Sequence, residues 1–241
     1  MRILFPVTPR VFHKVLLHSL PFPRRITRAM KLISHTGGVV STNCFLIIDE
    51  PTGKCVLFDA PDHTIAPILD YIKQEKLNLI GLWLTHAHFD HLADHQLVRD
   101  QFPAAKLLIH PLELPLLHNP LSRLFQLPFD ITPGREDQLI NEGDELLIGN
   151  LRCRVMFTPG HAPGHVCFYF ESENLLVGGD LIIAGSVGRT DFPTSNHQHM
   201  IDSVRRVMTL PDATTLLPGH GDSTTLGDER KSNAMVREML G

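Results

Sequence analysis

The stretch Thr85-His86-Ala87-His88-Phe89-Asp90-His91 places three imidazoles and one carboxylate within a few residues of each other. Two imidazoles at positions i and i+2 of an extended segment point to one side of the chain. The carboxylate and the third imidazole, in a following turn, can face an adjacent site. Neutral imidazole and carboxylate suit zinc, and also iron or manganese, so this stretch predicts a metal site.

Three further metal-binding side chains follow predicted strands in the same way. The apolar runs at 155–157, 176–177 and 216–217 lead to His161, Asp180 and His220, just as the run at 82–84 leads to His86. Ligands collect where neighbouring strands end in layered αβ folds, so we expect these side chains to converge on one rim. Glycine precedes three of the four, and it permits the backbone angles and close approach that aim a side chain inward.

Outward from this stretch, short β-branched runs alternate with helical patterns. Apolar runs predict strands at 39–48, 55–58, 79–84, 106–110, 145–148, 151–157, 166–170, 175–177 and 214–217. Helical spacing predicts helices near 65–72, 92–102, 198–210 and 229–240. The proline-rich segment 111–135 reads as a long loop with one short helix at 112–117, and loops of that length tend to be functional covers. Strands that are apolar throughout predict sheets covered on both faces, within one α/β-layered domain.

Composition sets the class of protein. The chain has 241 residues, of which 43% are hydrophobic and 20% charged, and its mean hydropathy is +0.01. These values exclude a disordered, collagen-like or coiled-coil protein. Apolar runs stay below the roughly 18 residues that a membrane-spanning helix needs, so we expect no stable membrane insertion. Four cysteines without CxxC spacing, Cys44, Cys55, Cys153 and Cys167, are expected to be reduced and buried.

Charge divides the chain into two parts. Residues 1–31 hold seven basic side chains and no acidic one, whereas the rest hold 15 basic and 26 acidic groups. An acidic body repels phosphate backbones, so we expect no nucleic-acid partner. We expect a basic N-terminal extension at 1–31 and a single folded domain at 32–241, which the family resemblance below would make a hydrolase domain. The extension is interpreted as non-catalytic or as preceding an alternative start at Met30, with a mitochondrial transit peptide or a membrane-surface helix as alternatives.

The full pattern resembles the metallo-β-lactamase superfamily. The resemblance rests on HxHxDH at residues 86–91, followed by His161, Asp180 and His220. The flanking words TPGHAPGH at 158–165, GRTDFP at 188–193 and PGHG at 218–221 are more specifically similar to single-domain type II glyoxalases, the hydroxyacylglutathione hydrolase-like hydrolases. The resemblance covers the chain from about Met30 to the C-terminus. It implies a four-layer αββα sandwich with metals at one edge of two sheets.

The resemblance also implies two divalent metal ions, with zinc expected and iron or manganese as alternatives. His86, His88 and His161 would hold the first ion, and Asp90, His91 and His220 the second. Asp180 would bridge both ions together with a hydroxide, which coordination makes available near pH 7 by lowering the pKa of water. Asp90 would in addition act catalytically by orienting that hydroxide and taking its proton. His165 is expected to orient the glycine-containing turn or a ligand through a hydrogen bond. For Asp59 a turn or helix-cap role is expected, with support of a ligand as the alternative.

We therefore expect a metal-dependent hydrolase that cleaves a thioester or ester, with S-lactoylglutathione or a related acyl thioester as substrate. Arg189 is a candidate substrate contact, and a plain ion pair is the alternative for that residue. The alternative activity is that of a persulfide dioxygenase with one iron on His86, His161 and Asp180. A lactonase is disfavoured because neither tyrosine lies in the loop after Asp180. A non-catalytic paralogue is disfavoured because all seven ligands are present. The expected location is the cytoplasm, with the mitochondrial matrix as the alternative.

Overall fold

The first half of the chain forms a six-stranded sheet in a computed structural model that describes residues 30–120 and 127–241. Its strands follow chain order from one edge to the other. The first three strands form an antiparallel meander, and the third to the sixth strand run parallel to one another. The strands are β1 (Met30–Gly37), β2 (Thr42–Asp49), β3 (Lys54–Phe58), β4 (Asn78–Trp83), β5 (Lys106–Ile109) and β6 (Gln138–Leu139).

The second half forms another six-stranded sheet and a small hairpin. The strands are β7 (Glu145–Ile148), β8 (Leu151–Phe157), β9 (Val166–Phe170), β10 (Leu175–Gly179), β11 (Ile182–Ile183), β12 (Ser186–Val187), β13 (Thr215–Pro218) and β14 (Thr224–Thr225). The sheet has the order β14-β13-β10-β9-β8-β7, and β11 pairs with β12. Within it, β10 and β13 are parallel, so their carboxyl ends meet at one edge.

Helices cover the outer face of each sheet. They are α1 (Ala66–Gln74), α2 (Phe89–Leu92), α3 (His95–Gln101), α4 (Leu114–His118), α5 (His197–Val207), α6 (Leu226–Ser232) and α7 (Ala234–Leu240). The first sheet packs against α1 and α3, and the second packs against α5, α6 and α7. In the described part of the chain, no helix has the length and apolar character needed to cross a membrane.

The central strands of the first sheet, β2 to β5, are largely buried on both faces. Along β2, Leu46 and Ile48 pack beneath the helices, whereas Phe45 and Ile47 pack between the sheets. This alternation follows from the two-residue period of a strand. Aromatic rings fill the space between the sheets, where Phe58 meets Phe168 edge-on at 5.1 Å between centroids. The expected four-layer αββα sandwich is confirmed, as are the four buried, free cysteines.

The sequence prediction missed β1 and misplaced the start of β2. Residues 38–41 form a turn, with Gly38 and Ser41 at positive φ, so the predicted strand 39–48 begins only at Thr42. β1 carries Ser34, His35 and Thr36 in its second half, and this polar stretch hid the strand. β1 begins at Met30, two residues before the predicted domain boundary, and the rest of the predicted extension lies outside the described residues.

Two predicted helices differ from the structure at a break in the chain. The helix predicted at 92–102 is present as α3 but begins three residues later, because the chain turns after α2 where the Asp94 amide donates to the carbonyl of Ala60. The predicted helix 229–240 breaks at Asn233, whose side-chain oxygen accepts from the amides of Met235 and Val236 and so caps α7. The short helix predicted at 112–117 is confirmed as a 3-10 turn followed by α4.

Candidate metal centre

The predicted ligands lie at one rim of the sandwich, where strands of both sheets end. His86 follows β4, His88 comes directly before α2, and Asp90 and His91 lie within α2. In the other sheet the loop after β8 carries His161, and β10 and β13 end just before Asp180 and His220. The structure therefore brings together all seven residues named from the sequence, His86, His88, Asp90, His91, His161, Asp180 and His220. Their action as metal ligands stays a prediction.

Three of the histidines form one group. Nε2 of His86 lies 3.1 Å from Nδ1 of His88, which lies 2.8 Å from Nε2 of His161. Burial lowers the pKa of His86 well below its usual range and that of His88 to about 3. Both rings are therefore neutral at physiological pH, which is the form of imidazole that binds a metal.

A second group contains both carboxylate and imidazole. Oδ2 of Asp90 lies 3.2 Å from Nε2 of His220 and 3.3 Å from Nε2 of His91. Burial by itself raises the pKa of Asp90, but the neighbouring His91 and hydrogen bonds from His220 and Thr42 bring it down to about 2. Asp90 is therefore a carboxylate at neutral pH.

Asp180 lies between the two groups. Its Oδ2 is 3.4 Å from Nε2 of His161 in the first group and 3.4 Å from Nε2 of His220 in the second. Its Oδ1 is 3.4 Å from Nε2 of His91. A carboxylate in this position can serve cations on both sides, as the sequence resemblance implied.

Among the described residues, two buried polar atoms in the centre lack hydrogen-bond partners, as expected for atoms that bind a metal. Nε2 of His91 and Oδ1 of Asp180 are buried without a hydrogen-bond partner in the described structure. An unsatisfied buried polar atom costs about 1–3 kcal/mol, and a bound cation would satisfy both atoms. The carboxylates also create a negative potential, since they raise the pKa of His220 to about 10 against the effect of burial. Donor types, spacing and potential therefore fit divalent metal ions.

Hydrogen bonds fix the orientation of the imidazoles. Nδ1 of His91 bonds to Oδ2 of Asp59 at 2.8 Å, and Nδ1 of His161 donates to the carbonyl of Arg189 at 2.9 Å. In each ring, Nε2 is thereby left to face the centre, an arrangement that tunes metal ligands in proteins. His165 accepts from the amide of Asp180 at 3.0 Å. The hydrogen-bonding role predicted for His165 is confirmed, whereas Asp59 takes the alternative role, because it bonds to His91.

Close backbone approach explains the glycine before His220. A Cβ atom at Gly219 would collide with Oδ1 of Asp180 and lie 2.7 Å from Cε1 of His91. Only glycine lets this strand end approach the second group so closely, as the sequence pattern predicted.

Two contributors were missed by sequence reasoning. Thr42, at the start of β2, donates its hydroxyl to Oδ2 of Asp90 at 2.7 Å. Glu113 is buried and accepts from the amides of Ala87 at 2.8 Å and Gly164 at 2.6 Å. Neither residue lies in a sequence motif with the candidate ligands. Thr42 is 48 residues from its partner in the chain, and Glu113 is 26 and 51 residues from its two partners.

Arg189 differs from the other site residues. Its side chain is 61% exposed and makes an ion pair with Asp191, with Nε lying 2.6 Å from Oδ1. Its guanidinium also lies 4.4 Å from the ring centroid of Phe192, which packs edge-on against His88. The backbone carbonyl of Arg189 serves the centre through His161. The role of its side chain in substrate binding stays a prediction.

Comparison with known proteins places this geometry in a family. A profile described as the metallo-beta-lactamase superfamily matches residues 37–220. The chain belongs to this superfamily. Within it, the probable metallo-hydrolase YqgX of Bacillus subtilis is 32% identical over 201 residues, covering 83% of this chain and 94% of the relative. The hydroxyacylglutathione hydrolase GloC of Haemophilus influenzae is 30% identical over 204 residues, covering 80% and 92%.

Solved structures of the superfamily share the architecture. BLEG-1 B3 metallo-beta-lactamase has a TM-score of 0.79 at 32% identity, covering 86% of this chain and 99% of that one. TTHA1623 in a di-iron-bound form has a TM-score of 0.73 at 32% identity, covering 83% and 98%. ETHE1 from Myxococcus xanthus has a TM-score of 0.70 at 26% identity, covering 88% of each chain. Fold, family and residue cluster identify a metal-dependent hydrolase of the metallo-β-lactamase superfamily.

Proposed function

We propose that this protein is a hydroxyacylglutathione hydrolase-like thioesterase that uses two divalent metal ions, with zinc as the expected metal. The observation that carries the proposal is the position of Asp180, whose Oδ2 is 3.4 Å from an imidazole nitrogen of each ligand group. His86, His88 and His161 would hold one ion, and Asp90, His91 and His220 the other. When bound, two such ions supply a polarising positive field and a hydroxide nucleophile at neutral pH.

The carboxylate of Asp90 would position a water molecule and accept its proton. Asp90 is ionised at neutral pH, and Thr42 holds its Oδ2 by a hydrogen bond of 2.7 Å. A fixed carboxylate in this place can orient a water molecule and accept its proton, which is the catalytic role proposed for Asp90. Overall, water adds to the thioester carbonyl, the carbon–sulfur bond breaks, and the products are a carboxylic acid and a thiol.

The similarity to GloC supports the substrate class, because the name of that relative specifies a hydroxyacylglutathione. The flanking sequence words at 158–165, 188–193 and 218–221 support the same group. Arg189 at the mouth of the centre is proposed as a substrate contact. We further propose that residues 32–241 form the hydrolase domain and 1–31 a non-catalytic extension.

The experiment is a thiol-release assay on S-lactoylglutathione with zinc-loaded protein, compared with its Asp90→Asn variant. We expect hydrolysis by the wild type and a loss of about 100-fold or more in kcat for the variant, the scale of positioned proton transfer. Zinc-loaded protein that hydrolyses neither this substrate nor simpler acyl thioesters would overturn the proposed function.

The second candidate is a mononuclear-iron persulfide dioxygenase. It is favoured by the similarity to ETHE1 and by the contact between His161 and Asp180, which with His86 could form a site of two histidines and one carboxylate. Iron-loaded protein that consumes oxygen with glutathione persulfide, and does not hydrolyse thioesters, would establish this candidate instead.

We propose that the protein acts in the cytoplasm on a small molecule. A cytoplasmic location is supported by curated relatives from bacteria, which give no support to the mitochondrial alternative. The proposed partner is a small thioester or ester, without nucleic acid. Iron or manganese remains the alternative to zinc, and the di-iron form of TTHA1623 supports iron.

A further inference from the structure

Glu113 is a buried carboxylate between the two halves of the sandwich. It lies in the 3-10 turn Pro111–Glu113 after β5, at the start of the segment predicted to be a functional cover. Its exposed fraction is 0%, although glutamate rarely lies in a protein interior without a specific partner. Its position therefore calls for a contact that offsets the cost of burial.

Both carboxylate oxygens accept hydrogen bonds from backbone amides of the metal centre. Oε2 accepts from Ala87, the residue between His86 and His88. Oε1 accepts from Gly164, three residues after His161. The two amides belong to loops that follow strands of different sheets. One side chain thus ties together the two loops that carry the first ligand group.

We infer that Glu113 is a positioning residue that sets the spacing of His86 and His88 relative to His161 and so tunes metal affinity at this group. An ionised carboxylate offers acceptors at both oxygens, whereas the amide of glutamine offers one acceptor and one donor. A glutamine here would turn its NH2 group toward one of the two backbone N–H groups. One loop would lose its anchor and keep an unsatisfied buried donor.

The backbone around Gly164 is built for this contact. A Cβ atom at Gly164 would lie 2.8 Å from Cγ of Glu113 and 2.9 Å from Nδ1 of His110, closer than side chains tolerate. The glycine in the HAPGH word therefore admits the carboxylate between the loops. Hydrogen bonds of this kind behind metal ligands typically change metal affinity by about 10- to 100-fold when removed.

Asp49 offers a matched control at the far end of β2. It is also buried, and its Oδ2 accepts from the amide of Asn150 at 3.0 Å, so it likewise ties one half of the chain to the other. Asp49 lies seven residues along β2 from Thr42. At about 3.3 Å per residue this places it about 23 Å from the metal end of the strand.

The test is a zinc titration of metal-free wild type, Glu113→Gln and Asp49→Asn, each competing with a chromophoric chelator. We expect wild type to bind two zinc ions, Glu113→Gln to weaken one of them by about 10- to 100-fold, and Asp49→Asn to bind both as wild type does. The absorption bands of the cobalt-substituted proteins should change for Glu113→Gln alone. If Glu113→Gln does not fold, Glu113→Asp takes its place, and weakened binding at one site is again expected.

The inference rests on metal binding in the proposed function, and the titration separates the two. Wild type that binds no divalent metal would overturn the proposed function. Wild type that binds two zinc ions while the Glu113 variant binds them equally tightly would overturn the positioning role alone. Equal weakening in the Glu113 and Asp49 variants would also overturn it, because the effect would then be one of general stability.

Discussion

Nδ1 of His91 lies 2.8 Å from Oδ2 of Asp59, and this bond turns Nε2 of the same ring toward Asp90 and Asp180. Asp59 also accepts from the amide and the hydroxyl of Thr85, the residue before the first ligand. A single carboxylate thereby holds the start of the histidine-rich stretch and one ring near its end. The orientation of the second ligand group depends on this carboxylate.

Replacing Asp59 with asparagine should weaken metal binding at the second group by about 10- to 100-fold. The amide has one acceptor oxygen for three donors, so the His91 ring loses its fixed orientation. Zinc titration against a chelator measures the effect. Asp62→Asn is the control, since Asp62 is buried on the same segment but accepts from the amide of Val39 at 3.2 Å. Equal losses in both variants would refute a specific role for Asp59.

Replacing Gly219 with alanine should abolish hydrolysis and reduce the number of bound metal ions. The added methyl group would collide with Oδ1 of Asp180, so the shared carboxylate must move. Metal content and thiol release measure the outcome. Gly53→Ala is the control, because it introduces strain at φ +65 but its Cβ would meet no atom within 4 Å. That variant should lose about 1 kcal/mol of stability and keep its metals. A fully active Gly219→Ala enzyme would contradict the geometry.

Variants of Arg189 and Asp191 distinguish a substrate-binding role of the Arg189 guanidinium from a simple ion pair. If the guanidinium contacts the substrate, Arg189→Ala should raise KM about tenfold, the equivalent of about 1.4 kcal/mol of binding, with little change in kcat. Asp191→Ala removes the same ion pair and leaves the cation, so its KM should stay near that of wild type. Equal changes in KM for the two variants would reduce Arg189 to a structural role.

The four cysteines should be unreactive in the folded protein. Burial raises the pKa of Cys55 and Cys167 to about 12, and it also raises the pKa of Cys44 and of Cys153 well above the usual range. Because the thiolate forms only above the pKa, these residues stay protonated thiols even at pH 9. A chromogenic disulfide reagent should therefore label no cysteine in native protein and four after denaturation. Rapid labelling of native protein would show that the sheets open readily.

The sequence predicted those parts of the molecule that local patterns encode. The apolar run of β2 and the residues at the ends of β4, β10 and β13 are local, so the layered fold and the seven candidate ligand residues could be named in advance. β1 could not, because its second half, with Ser34, His35 and Thr36, is polar and its edge position comes from pairing with β2.

Contacts between distant parts of the chain account for what the sequence did not reveal. Thr42 reaches Asp90 across 48 residues, and Glu113 reaches Gly164 across 51, through arrangements that only the assembled sheets create. A threonine at a strand start and a glutamate in a turn have many ordinary roles. No spacing rule in the sequence joins either residue to its partner.

We propose that the seven residues form a two-metal hydrolytic centre. The most direct test of this proposal is metal quantitation on purified protein, combined in the same sample with an assay for S-lactoylglutathione hydrolysis. We predict two divalent ions per chain and thiol release that is lost on chelation and restored by zinc. One iron per chain, with oxygen consumption on glutathione persulfide and no thioester hydrolysis, would contradict the claim.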